Sequence, residues 1–213
     1  MLDRHIHPKV KPLLSWLAKG LSAASVMADK VTLLGFAIGL CALPLLAWEH
    51  YTTALVCILL NRILDGLDGA LARETKLTDA GGYLDIVLDF LFYALVPLGF
   101  VLANPESNAI AGAFLLFAFI GTGSSFLAFA ALSDKYRLDN PDYPHKSFYY
   151  IGGLTEGFET ILCFILCCLW PSQFPLIAWI FGGLCCLTTL TRIWGGYNTL
   201  KQAEKKRTGA GER

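Results

Sequence analysis

Charge is what this chain has least of. Only 16% of its 213 residues are Asp, Glu, Lys or Arg, against 55% hydrophobic, and a mean hydropathy of +0.53 excludes an ordinary soluble globule. The formal net charge is zero, so no nucleic-acid partner is expected. A cleavable signal is missing too: about 30 residues precede the first apolar run, without an h-region and small-residue cleavage site, so that run is expected to stay in the mature protein. The seven cysteines lack metal-ligand spacing and fall inside apolar runs, where they read as small packing residues. Repeats, low-complexity tracts and a soluble second domain are absent as well.

What is there reads as an all-α integral membrane protein. Six runs, Val31–Trp48, Thr52–Ala72, Gly82–Ala103, Ile110–Leu132, Leu154–Trp170 and Phe174–Gly195, approach the roughly 20 residues a helix needs to cross hydrocarbon. All 17 Lys and Arg residues lie before the first run, around the second-to-third connection, between the fourth and fifth, or from Arg192 onward. The connections Glu49–Tyr51, Asn104–Asn108 and Pro171–Gln173 hold none, which places both termini in the cytoplasm by the positive-inside rule. The chain divides into an interfacial segment (1–30), a six-helix membrane domain (31–197) and a charged cytoplasmic tail (198–213). An inner-membrane, multi-pass location follows.

Within the first segment, Val10, Leu13, Leu14, Leu17 and Leu21 recur at helical spacing beside Lys9, Lys11, Lys19 and Trp16. That suits an amphipathic helix lying on anionic headgroups or packed on the cytoplasmic ends of the spans. Asp29 or Thr32 is expected to cap the next helix. Gly35 and Gly39, and the cluster from Gly121 to Ser125, allow close helix packing; the second also suits the face of a homodimer. The 133–153 loop carries His145, Lys146 and Ser147, suited to an anionic group or to anchoring at the interface. Glu156 and Glu159 open the fifth run, where negative charge at a helix N-terminus is favourable and where they could equally grip a polar substrate.

Against this apolar background, Asp65, Asp68, Asp85 and Asp89 are out of place. An aspartate within a span costs about 2.5–3.5 kcal/mol on insertion scales, and such residues usually have a partner and a function. Separations of three and four residues put each pair on one helix face. The short connection from Glu74 to Ala80 predicts antiparallel neighbours that bring the pairs together. Four carboxylates facing one another favour oxygen-ligated Mg²⁺ or Mn²⁺, and two such ions balance the charge. Paired hard cations suit displacement at phosphorus. Gly69 and Ala72 keep the adjoining face thin, and Arg73 is able to bind phosphate in bidentate fashion. Arg62, one turn before Asp65, either pairs with an aspartate or snorkels to the boundary.

The pattern Asp65-x2-Asp68-Gly69-x2-Ala72-Arg73-x7-Gly81-x3-Asp85-x3-Asp89 resembles the signature of the CDP-alcohol phosphatidyltransferase family, with a gap after Arg73 one residue shorter than is common there. The resemblance implies a two-metal site on the four aspartates, with Asp89 also the base that deprotonates the acceptor hydroxyl. It further implies contacts to the CDP donor from Gly69, Arg73 and Thr78, with Ala72 and Gly81 in the same stretch. The expected activity is transfer of a phosphatidyl group from CDP-diacylglycerol to a small polar alcohol with release of CMP, in phospholipid biosynthesis. Lys146, Glu156 and Glu159 are candidates for the acceptor site. Two alternatives stand beside this: transfer from a soluble CDP-alcohol to diacylglycerol, and a cation- or proton-coupled transporter whose ion path uses the acids.

Overall fold

In hydrocarbon every peptide group must find its partner within the chain, and a run of apolar residues meets that demand as helix. The computed structural model describes residues 3–135 and 153–210, and they are helical almost throughout. The elements are α1 (Asp3–Ala23), α2 (Ala28–Leu40), α3 (Ala42–Ala47), α4 (Tyr51–Glu74), α5 (Asp79–Ala103), α6 (Pro105–Lys135), α7 (Gly157–Leu169), a 3₁₀ turn at Pro171–Gln173 and α8 (Phe174–Ala210).

Four stretches are long and apolar enough to cross a membrane: Ala28–Ala47, Asp79–Ala103, Pro105–Ser133 and Pro171–Lys205. The expectation of six from sequence therefore meets two exceptions among the described residues. At 24 residues α4 has the length, but Asn61, Arg62, Asp65, Asp68, Arg73 and Glu74 make its second half polar. At 13 residues α7 is too short, because residues before Gly157 are spent on a turn and a cap. The first stretch is interrupted at Cys41, between α2 and α3. Pro44 has no N–H to donate to Leu40, four residues back, and its ring crowds that carbonyl.

Helix ends follow local chemistry. Ser25 and Glu49 take positive φ (56° and 61°) just past α1 and α3. In each case the next N–H reaches back five residues, Val26 to Leu21 and His50 to Leu45, closing a Schellman turn. Neither Asp29 nor Thr32 caps α2. The helix starts earlier, after Met27, without a side-chain cap, and the Thr32 hydroxyl donates to the Ala28 carbonyl instead. Thr78 does cap α5, accepting from the Gly81 N–H at 3.1 Å.

Between α4 and α5 lies α2, packed against both, while α4 and α5 make little backbone contact with each other. The helices joined by the short connection meet through side chains, Arg62 of α4 against Asp89 and Tyr93 of α5, with α2 wedged into the groove between their backbones. Glycine makes the wedge thin enough. A Cβ on Gly39 would lie 2.8 Å from both Asn61 Nδ2 and Phe92 Cδ2. On the far side α6 packs along α5 and α8, with Gly121 against Thr189 and Gly123 against the Phe90 ring.

Two apolar clusters result. The larger gathers Leu46, Ile58, Phe92, Phe100, Phe164 and Phe174 with the buried Cys163, Cys167, Cys168 and Cys185. The smaller joins Ala18 of α1 to Val31, Leu67, Ala70 and Leu71. Leu14 and Leu21 pack at its edge, while Leu13 and Trp16 stay 59% and 70% exposed. One face of α1 is thus docked on α4 and another is left apolar and outward. On α4 the polar residues Asn61, Arg62, Asp65 and Asp68 fall between Ile58 of the larger cluster and Leu71 of the smaller.

Candidate active site

At that border a cleft opens between α2, α4 and α5. Its wall consists of Thr32, Gly35 and Phe36 from α2, Asn61, Arg62, Asp65 and Asp68 from α4, and Asp85, Leu88 and Asp89 from α5. All four sequence-predicted aspartates are therefore brought to one cavity. Asp68 is buried, and the side chains of Asp65 and Asp89 are 34% and 28% exposed.

Arg62 forms the floor, and of its two readings from sequence the structure shows the ion pair. Nη1 lies 2.7 Å from Asp89 Oδ1 and 3.7 Å from Asp65 Oδ2. The same nitrogen donates to the Tyr93 hydroxyl at 3.2 Å, and Nε donates to Asn61 Oδ1 at 2.7 Å. Its Cζ stands 4.4 Å over the Phe92 ring and 5.1 Å from the centre of Tyr93, within cation–π range. Asn61 is itself fixed, donating from Nδ2 to the Gly35 carbonyl at 2.9 Å. The guanidinium is thus held from below by rings, a phenol and an amide, and meets carboxylates above.

The carboxylates are not fully satisfied by this. Asp68 Oδ2 and Asp89 Oδ1 are buried with no hydrogen bond. For Asp89 this means that the 2.7 Å approach of Arg62 is a charge contact without hydrogen-bond alignment. A buried carboxylate oxygen without a partner, as at Asp68, is costly, and an oxygen-only donor set of this kind fits a hard divalent cation. Among the described residues no three ligand groups close on a single point; Arg62 stands against two of the four.

The other motif residues sit beyond the cleft, where α4 ends and α5 begins. Gly69 faces Arg73, whose Nη1 would be 3.4 Å from a Cβ there. At Gly81 a Cβ would fall 2.9 Å from Thr78 Oγ1 and 3.0 Å from Asp29 Oδ1, so glycine lets α2 and the α5 cap meet. Gly69, Arg73, Thr78 and Gly81, with the half-buried Ala72, do not line the acidic cavity. Glu156 and Glu159 form a capping box on α7, each carboxylate accepting from backbone, and Glu156 also accepts from the Gly153 N–H. Lys146, with His145 and Ser147, lies outside the described residues. Thr32, Asn61 and Tyr93 went unpredicted as site residues. An asparagine inside an apolar run and a tyrosine one turn past Asp89 were the available signals.

The protein thus joins four stretches long and apolar enough to cross a membrane to an acidic cleft lined by four aspartates and an arginine. Residues 25–190 match the sequence profile described as CDP-alcohol phosphatidyltransferase, and the chain belongs to that family, making it a transferase of substituted phosphate groups. It is 66% identical over 206 residues to the inner membrane protein YnjF of Escherichia coli, covering 97% of this chain and 100% of that one. It is 36% identical over 100 residues to archaetidylinositol phosphate synthase of Pyrococcus horikoshii, covering 46% and 53%. The fold resembles that of the phosphatidylinositol phosphate synthase PgsA1 of Mycobacterium tuberculosis. The TM-score is 0.62 to a structure with CDP-DAG bound, over 87% and 94% of the chains. It is 0.65 to one in complex with manganese and citrate, over 86% and 88%. Both are 20% identical in sequence.

Proposed function

We propose that the protein transfers a phosphatidyl group from CDP-diacylglycerol to a small polar alcohol, releasing CMP. The observation that carries this is the meeting of Asp65, Asp68, Asp85 and Asp89 in one cleft, with Asp68 Oδ2 buried and without a hydrogen bond. The relatives named above support the substrate class: one PgsA1 structure holds CDP-DAG and another manganese. The acceptor's oxygen bonds to the phosphorus distal to cytidine as the P–O bond to CMP breaks, and its hydroxyl proton passes to Asp89. The four aspartates would hold two Mg²⁺ or Mn²⁺ ions, whose chemistry when bound is to neutralise the pyrophosphate oxygens and stabilise the departing charge. Gly69, Arg73 and Thr78, with Ala72 and Gly81 shaping the same end of α4 and α5, contact the CDP moiety. Lys146, Glu156 and Glu159 belong to the acceptor side.

The setting suits the reaction. Six membrane segments, the four long stretches with the polar α4 and the shorter α7 packed among them, keep the donor's acyl chains in the bilayer, and the cleft faces the cytoplasm by the charge asymmetry of the loops. Residues 31–197 make up the catalytic domain. The test is CMP release by purified protein in detergent from radiolabelled CDP-diacylglycerol, with Mg²⁺ or Mn²⁺, against inositol phosphate, glycerol 3-phosphate, serine and choline. Release with one acceptor supports the reading. Absence of release with every alcohol, in protein that binds the metal, overturns it; release only from a soluble CDP-alcohol with diacylglycerol reverses the assignment of donor and acceptor.

A further inference from the structure

The motif accounts for four carboxylates but not for the cation set among them. Arg62 touches Asp89 and Asp65, two of the groups proposed above as metal ligands, and a dication seated on them brings like charge against the guanidinium. At separations of a few ångströms in a partly buried site such repulsion is large. Yet the guanidinium has a second set of partners besides the carboxylates. Tyr93 Oη accepts from Nη1 at 3.2 Å, Phe92 offers its ring face at 4.4 Å, and Asn61 holds Nε at 2.7 Å. These partners are already in place, so the guanidinium stays buried and partnered when the carboxylates turn to a metal ion.

We propose that Arg62 is an internal counter-cation that competes with divalent metal for Asp89 and Asp65, and that Tyr93, Phe92 and Asn61 form the seat to which it yields. Arg62 thereby sets metal affinity, and it keeps Asp89 paired until metal arrives. It acts as a positioning residue, through the carboxylates and not on substrate. The inference rests on the metal site of the proposed function, and its test separates the two.

The probe is Mn²⁺, titrated into the full-length protein in detergent, with free Mn²⁺ read by electron paramagnetic resonance. Removing the charge in Arg62→Gln is expected to tighten Mn²⁺ binding at least about tenfold, while Arg62→Lys, which keeps the charge, stays near wild type. Tyr93→Phe removes part of the seat and is expected to weaken binding several-fold, opposite in sign to Arg62→Gln. A purely structural Arg62 would lower the melting temperature and leave Mn²⁺ affinity unchanged or weakened, which overturns the proposal. Should Arg62→Gln not fold, Tyr93→Phe decides: unchanged or tighter binding overturns the competition. If wild type binds no Mn²⁺ saturably, the metal site fails and this inference with it; equal, saturable binding in wild type and variants removes the inference alone.

Discussion

Asn61 of α4 donates from Nδ2 to the carbonyl of Gly35 in α2 at 2.9 Å, across 26 residues of sequence, and its Oδ1 accepts from Arg62 Nε. One amide therefore ties the wedge helix to the floor of the acidic cleft. It is 3% exposed, so water cannot replace what it provides. Asn61→Leu is expected to destabilise the protein by about 1–3 kcal/mol, the cost of stranding buried polar groups, and to reduce transfer beyond the effect on folding, because Arg62 loses its anchor. Thermal unfolding in detergent and CMP release at a temperature where the variant is folded measure the two effects separately.

Gly39 stands where α2 is squeezed between α4 and α5. An alanine Cβ would meet Asn61 Nδ2 and Phe92 Cδ2 at 2.8 Å, and overpacking of this kind costs about 1–3 kcal/mol. At Gly82 nothing lies within 4 Å of an added Cβ. Gly39→Ala is expected to lower the melting temperature and Gly82→Ala to leave it near wild type. Equal melting temperatures would show that α2 is not the wedge described.

The four aspartates carry separable predictions. Asp68 is buried and one of its oxygens lacks a hydrogen bond, so Asp68→Asn is expected to weaken Mn²⁺ and CDP-diacylglycerol binding together. Asp89→Asn is expected to abolish CMP release while some donor binding survives, since the proposed proton acceptor is gone and three carboxylates remain. Metal titration, donor binding and turnover on both variants check this. Full activity in both would remove the site assignment.

The acidic motif was legible in sequence because carboxylates in an apolar run are conspicuous and their three- and four-residue spacing survives folding. Helical class was legible for the same reason that Gly35 and Gly39 were: composition alone demands helices, and small residues demand contacts. What sequence did not show was the partner of those glycines. Spacing placed α4 beside α5, but the α2 side chains Thr32 and Phe36 complete the cleft, and only tertiary packing brings them there. The helix at α7 is shorter than its apolar run because hydropathy does not reveal that Gly153–Glu156 folds as a turn and cap. At Arg62 the sequence left two fates open, and the choice between them depended on Phe92 and Tyr93, 30 and 31 positions away.

Thr188 is fully buried, and its hydroxyl serves three partners at the turn before α7. It accepts from the Leu154 and Thr155 N–H groups, each at 3.2 Å, and bonds the Thr155 hydroxyl at 3.0 Å. Thr188→Val keeps the shape and removes every one of these bonds, stranding backbone donors that secondary structure cannot serve. A loss of about 1–3 kcal/mol per stranded group is expected, with faster amide hydrogen exchange at 154–156.

Glu159 offers a way to divide cap from chemistry. Its Oε2 accepts from the Glu156 N–H at 3.2 Å, a role that glutamine fills equally well in a capping box. Glu159→Gln therefore keeps the cap while removing charge, and thermal unfolding is expected to stay near wild type. If Glu159 belongs to the acceptor side, KM for the alcohol rises several-fold and KM for CDP-diacylglycerol does not. Steady-state kinetics with one substrate saturating at a time measures this, and an unchanged alcohol KM would confine Glu159 to capping α7.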